Sequence, residues 1–409
     1  MTGPSRRAYV AGTFDTKARE LCYLRDCLVK QGIAVTLVDL STSGAGTTTE
    51  ADISALTVAT FHPLAAAAVF TGERGSAVAR MADAFTHFLK SRDDLGGIIS
   101  AGGSGATALA TPAMRALAVG VPKVMVSTIA SGDVRPHVGS SDIAMIYPVT
   151  DISGLNHISR KVLANAAGAL AGMMQAEPLM AETEKPAIGL TMFGVTTQCV
   201  QAVAGLLEAD CDCLVFHATG SGGQSFEMLA GSGFFTGVLD ITTTEIADEI
   251  AGGVLSAGPQ RLDVFADHAI PYVGSVGALD MANFWAMDTM PAHLRGRLFH
   301  IHNANVTLMR TTAQENVRIG RFIAEKLNRM KGPVRFLLPM KGISALDQEG
   351  KPFFDPEADS ALFTAIEENF HGTEAHRLLK LPHHINDPAF AEALAASFRE
   401  ITSEERQDP

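Results

Sequence analysis

Apolar residues in this chain fall into short continuous runs. Between them lie polar turns and stretches with an apolar residue every three or four positions. Residues 8–11 (Ala-Tyr-Val-Ala) are the first run, and residues 12–17 (Gly-Thr-Phe-Asp-Thr-Lys) are a polar turn. Leu21, Leu24, Cys27 and Leu28 then recur at helical spacing. Gly32 closes that helix, and residues 33–39 read as a second strand. Strand, helix and strand in this order form a βαβ unit with a right-handed crossover. A polar stretch follows from residue 41 to 52. After it come a helix through 81–89, a strand at 97–100, a glycine loop at 102–105, a helix at 106–117 and a strand at 121–127 led by Pro122. Residues 155–174 predict a long amphipathic helix that closes this half.

Residues 181–186 are charged and polar and read as a linker, so domains are expected over residues 1–182 and 186–409. The second half retraces the first. Residues 187–194 are strand and turn, and Val200, Val203 and Leu207 mark a helix. Residues 213–217 are a strand and 219–223 a glycine loop. Residues 237–240 run into Thr242, Thr243, Thr244 and Glu245, and 270–275 mirror 121–127 with Pro271 in the leading position. The repeated order predicts an α/β protein with two Rossmann-like domains on parallel sheets, related by internal duplication. The loops at 219–223 and 242–245 are taken as the counterparts of those in the first half. Residues 45–95 hold an insertion without a counterpart in the second half. Further strands are expected at 300–302, 335–338 and 378–381, and helices after Thr312, Pro356 and Pro388. Thr312 with Glu315 fits a capping box.

Composition narrows the class. A chain of 409 residues exceeds one ordinary core. Aromatics are 6% and glycines number 38, which suits buried parallel strands joined by tight loops. A net charge of −12 without a Lys/Arg run disfavours nucleic acid as the main partner. No apolar stretch approaches the ~18–20 residues of a membrane span. The apolar run after Arg6 and Arg7 stops at Asp15 and Lys17, unlike a signal peptide. Five cysteines do not make a disulfide framework in a chain this long, and neither CxxC nor HExxH occurs. The cytoplasm is the expected compartment.

In open parallel sheets, ligands bind beyond the carboxyl ends of the strands. The turn at 12–17 offers two hydroxyls, the Lys17 charge and the Asp15 carboxylate, but no Walker A string occurs in the chain. The loop at 102–105 formally fits a dinucleotide pattern. The acidic residue expected after the next strand is missing, since that strand ends in Ser127 and Thr128, so an anion cradle is better supported than nicotinamide binding. His217 at a strand end is a candidate acid or base, with a structural His as the plain alternative. His300 and His302 share a strand face and are weighed as a metal pair against an ordinary surface strand.

Together these loops resemble a known family. The strings are Gly-Thr-Phe-Asp-Thr-Lys (12–17), Gly-Gly-Ser-Gly (102–105), Pro-Lys-Val-Met-Val-Ser-Thr (122–128) and Thr-Met-Phe-Gly-Val-Thr-Thr (191–197), with residues 215–220, 240–245, 277–281, 308–312 and 382–387. They look like the ATP-binding family named after the tomato mosaic virus resistance protein. The likeness runs from about residue 9 to residue 401. It implies a two-domain Rossmann-like protein that binds ATP with Mg²⁺ and self-associates. The family's plant member inhibits viral RNA replication by binding the replication protein, a role not carried over to this chain. Ala106 stands where relatives often have Gly, Gln198 where Pro is common and Gln224 where Arg is common. The last change removes a phosphate-binding charge from the second-half loop.

ATP is therefore expected on the first domain. Its holders would be Gly12, Thr13, Phe14, Asp15, Thr16 and Lys17, then Gly102, Gly103, Ser104 and Gly105, and finally Ser127, Thr128, Ser131 and Gly132. Lys17 would pair phosphate and Asp15 would hold Mg²⁺. A small metabolite would react in the inter-domain cleft, with His217, Glu245 and Asp280 as acid or base groups, in a homo-oligomer. The alternative is a non-catalytic, ATP-dependent module that binds and inhibits another protein.

Overall fold

The computed structural model describes residues 6–43, 50–177 and 185–404. The chain divides into two compact units at residues 180 and 181. Apart from Lys185 and Pro186, the linker expected at 181–186 lies outside the described residues, as do residues 44–49 of the polar stretch and insertion.

The first unit is a five-stranded parallel sheet built from β1 (Arg7–Gly12), β2 (Val35–Asp39), β3 (Leu95–Gly102), β4 (Lys123–Ser127) and β5 (Ala144–Ile146), in the order β2-β1-β3-β4-β5. Its strands are apolar at consecutive positions because helices cover both faces. Successive side chains alternate between those faces. Tyr9 and Ala11 pack with Met81, Phe85 and Leu109, while Ala8 and Val10 pack with Leu21, Leu24, Leu163 and Leu170. The helices Phe14–Lys30, Arg74–Lys90, Ser104–Arg115 and His157–Gln175 supply those partners.

The second unit has a six-stranded parallel sheet of β6 (Ala187–Met192), β7 (Asp212–His217), β8 (Gly237–Thr242), β9 (Tyr272–Gly277), β13 (Val334–Pro339) and β14 (His376–Leu381). Between β9 and β13 the chain makes a separate antiparallel sheet, β10 (Met281–Phe284), β11 (Phe299–Asn303) and β12 (Val306–Arg310). The strand carrying His300 and His302 belongs to this small sheet, so the second unit has an insertion of its own that the sequence pattern did not mark. Among the described residues, no group of three or more His, Cys, Asp or Glu is placed to hold a metal ion.

The order of the large sheet is β7-β6-β8-β9-β13-β14. Strand for strand it repeats the first unit's 2-1-3-4-5 and adds one strand, in keeping with the expected duplication. Backbone hydrogen bonds fix the register of the repeat. Ile98 N donates to Pro122 O and Val238 N to Pro271 O, each at 2.9 Å. Leu40 N donates to Gly12 O at 2.8 Å and Ala218 N to Met192 O at 2.7 Å. Thr16 N donates to Thr13 O, and Thr196 N to Phe193 O. Lys17 thus corresponds to Thr197, and Gly105 to Glu245. This overturns one expected pairing. The loop at 219–223 follows the second strand of its unit, whereas 102–105 follows the third. The true counterpart of residues 103–105 is Thr243, Thr244 and Glu245.

Candidate functional site

A parallel sheet ordered 2-1-3-4-5 has its topological switch point between strands 1 and 3, where the crossovers leave to opposite faces and open a crevice. In the first unit that point lies between the ends of β1 and β3. A cavity of about 590 Å³ opens there, lined by Thr13, Asp15, Thr16 and Lys17 after β1 and by Gly103, Ser104 and Gly105 after β3. Thr42 and Ser43, the start of helix Arg74–Lys90, and Asp151 complete it.

The two loops bring different chemistry. After β1, the first amides of helix Phe14–Lys30 are already used. Phe14 N donates to Asp39 Oδ1 at 3.2 Å and Asp15 N to Ser41 Oγ at 3.1 Å. These bonds leave side chains as what this loop offers, the hydroxyls, the Lys17 charge and the Asp15 carboxylate. Gly12 and Phe14 are buried and do not line the cavity. Thr13 Oγ1 and Thr16 Oγ1 lie 2.9 Å apart, and the Lys17 side chain has no hydrogen-bond partner among the described residues.

After β3 the opposite holds. Helix Ser104–Arg115 starts at Gly103, which has no side chain to cap it. Thr107 N donates to Gly103 O, so the amides of Ser104, Gly105 and Ala106 are the helix's orphan donors. They have no acceptor among the described residues. Arg74 overhangs this end: a Cβ on Gly105 would stand 3.5 Å from Arg74 Nη2. The Arg74 guanidinium is exposed and has no hydrogen-bond partner among the described residues. Three free amides, the helix dipole and two unpaired cations make an anion site.

Helix Arg74–Lys90 meets the same cavity differently. Glu73 caps it, accepting from Gly75 N at 2.8 Å and Ser76 N at 2.6 Å. The Ser76 hydroxyl, together with those two amides, holds its carboxyl down at about 2, so an internal anion already sits on this helix end. Sequence reasoning missed Glu73, Arg74 and Asp151. The signal for the first two was a Gly-flanked polar turn, residues 71–75, inside a segment read only as an insertion.

The remaining candidates are placed as follows. Gly102 lies behind the loop, where an added Cβ would stand 2.4 Å from Ala106 Cβ. Ser127 is buried, 2.7 Å from Thr107 Oγ1, and it caps residues 128–131 through Ile129 N. Thr128, Ser131 and Gly132 do not line the cavity, although Thr128 Oγ1 lies close to Gly103.

At the second unit's switch point the counterparts are sealed. Thr242, Thr243 and Thr244 are fully buried, with Thr196 Oγ1 2.7 Å from Thr242 Oγ1 and Thr243 Oγ1 donating to Ser275 O. Glu245 is buried too. Its Oε1 accepts from Gly220 N at 2.6 Å and Gly223 N at 3.0 Å, and its Oε2 from Arg261 Nε at 3.0 Å. Arg261 also binds Glu227 and Asp240, and Asp240 accepts from Tyr272. Burial pushes the Glu245 carboxyl up, and Arg261 opposes the shift. Glu245, expected as an acid or base, instead braces a glycine loop.

Asp280 is also enclosed. Its Oδ2 accepts from Ser344 Oγ at 2.7 Å, and burial pushes it up to about 7. His217 ends β7 exposed beside Phe193, and partial desolvation lowers its pKa. Glu245 and the loop after His217 meet through Gly220, while Asp280 belongs to a separate cluster around Arg310.

No helix among the described residues is long and apolar enough to cross a membrane. Residues 6–178 match the N-terminal domain and residues 185–402 the C-terminal domain of the uncharacterised protein family UPF0261. A UPF0261 protein of Rhizobium meliloti is 54% identical over 399 residues, covering 97% of this chain and 100% of that one. A UPF0261 protein of Clostridium tetani is 44% identical, over 96% of this chain and 98% of that one. The ToMV resistance protein Tm-1 of Solanum lycopersicum is 42% identical over 98% of this chain and 56% of the tomato protein. With both of its units matched end to end in this way, the chain belongs to the UPF0261 family.

Proposed function

We propose that the first unit binds ATP, with its phosphates on the amides of residues 104–106 beneath Lys17 and Arg74. The observation that carries this reading is the uncapped start of helix Ser104–Arg115, opening on a cavity at the switch point with two cations beside it. The family resemblance of the same loops supports it. Asp15 and Asp151 line the cavity as well. Mg²⁺ is commonly held by one or two carboxylates together with phosphate oxygens, and these two residues would hold it. The ion would supply charge neutralisation at the phosphates. We further propose that the bound nucleotide serves a reaction on a small metabolite. His217 is the acid or base candidate that stays exposed to solvent.

The test is titration calorimetry with Mg-ATP. Lys17→Ala and Arg74→Ala are each expected to weaken binding about tenfold, roughly 1.4 kcal/mol. The melting temperature should not move, because both side chains are unpaired. Unchanged affinity in both variants places the nucleotide elsewhere. Release of ADP or AMP with a panel of sugar acids and carboxylates would mark an enzyme, and its absence would leave an ATP-dependent binding module.

A further inference from the structure

The second unit has a cavity of its own, about 570 Å³, away from its sealed switch point. It lies at the carboxyl ends of β13 and β14, against helix Pro356–Asn369. Two large apolar side chains on its walls stand in water, Met340 at 42% exposure and Phe354 at 44%. An apolar surface held open inside a concave site suits a ligand with an apolar body.

The charges on the walls set the ligand's sign. Lys341 is the one Lys or Arg among the lining residues, against Glu349, Asp359, Glu367 and Asp387. Glu367 is paired with Lys380, and Asp359 is engaged by Arg310, while burial and Asp347 push its carboxyl up to about 8. Glu349 is exposed and has no partner among the described residues. His384 is held by the backbone: its Nδ1 accepts from Asn386 N at 3.1 Å, and its Nε2 lies 2.9 Å from Ser344 O.

Behind the wall, one guanidinium serves two carboxyl groups and a backbone carbonyl. Arg310 binds Asp359 at 2.7 Å and lies 3.9 Å from Asp347, and its Nη1 reaches the Asp280 backbone. Asp280 Oδ1 and Asp347 Oδ1 are buried with no hydrogen-bond partner.

We propose that this cavity binds a small organic cation, with its ammonium group toward Glu349 and Asp387 and its apolar body on Phe354 and Met340. The site is separate from the nucleotide reading and does not depend on it.

The experiment titrates the full-length chain with benzyltrimethylammonium, which stays charged at every pH, and with phenylacetate, which carries a similar ring and the opposite charge. Saturable binding of the cation is expected, with phenylacetate at least about tenfold weaker. Phe354→Ala and Glu349→Gln should each weaken the cation several-fold, and Lys341→Gln should strengthen it. Phe354 and Glu349 are exposed, so a melting curve should show both variants folded as the parent. Phenylacetate binding as tightly as the cation would overturn the proposal. So would a lack of saturable cation binding up to about 10 mM, or binding that survives both wall substitutions.

Discussion

At the second position of the helix that follows its third strand, the first unit carries Gly105 and the second carries Glu245. At the matching position after the first strand, the first unit carries Lys17 and the second Thr197. One unit thus has a cation and a bare backbone where the other has a hydroxyl and a carboxylate. The sheet order is the same, and the electrostatics of the crevice are reversed. In the first unit the helix amides lack an acceptor and an external anion can take them. In the second, Glu245 fills the crevice, and Arg261 with two glycine amides satisfies it in turn. A duplicated fold can keep one switch point as a binding site and turn the other into structure by exchanging a glycine for a buried acid.

The largest effect is expected where the acid is structural. Glu245→Ala strands Arg261 beside fewer carboxylates and leaves the amides of Gly220 and Gly223 without their acceptor. Breaking a buried ion pair from one side costs about 3–5 kcal/mol. The single tryptophan, Trp285, lies in the second unit, so denaturant unfolding followed by its fluorescence reads this loss. A shift below about 1 kcal/mol would mean that Glu245 does not brace the loop. Gly223→Ala should act alike, because a Cβ there falls 2.0 Å from Glu245 Oε2.

The reciprocal change comes next. Gly105→Glu writes the second unit's residue into the first, where the nearest atom to a new Cβ is Arg74 Nη2 at an ordinary 3.5 Å. The variant should fold within about 0.5 kcal/mol of the parent. Its ATP affinity should fall at least about a hundredfold, since the new carboxylate competes for the free amides and for Arg74. Retained affinity, measured by calorimetry, would break the comparison.

The smallest effect concerns Glu73, the internal anion at the edge of the same cavity. Glu73→Gln removes one negative charge beside Arg74 and should raise the affinity for inorganic phosphate a few-fold. Weaker phosphate binding would show that Glu73 orders the site rather than competing in it. His217→Ala should leave ATP affinity unchanged, and a loss would place the nucleotide against the second unit.

Much of this was legible along the chain. Apolar runs such as residues 8–11 and 97–100 marked strands covered on both faces, and Pro122 and Pro271 marked the repeat. Thr312 with Glu315 forms the capping box that its spacing announced. The antiparallel insertion escaped because β11 is short and mostly exposed, and its alternation, Phe-His-Ile-His, does not say which sheet it joins. Pairing the glycine loop at 219–223 with that at 102–105 failed because glycine content marks a tight turn without saying which strand it follows.

The sequence by itself determined the layering, the strand and helix order and the duplication, because these follow from which residues must leave water. It also placed polar loops at the carboxyl ends of strands. Only the tertiary structure decided which loop amides stay free. That depends on acceptors far along the chain: Asp39 for Phe14, Glu245 for Gly220, and none among the described residues for Ser104, Gly105 and Ala106. A hydrogen bond forms wherever folding brings donor and acceptor together, and no local pattern of apolar and polar residues records that meeting.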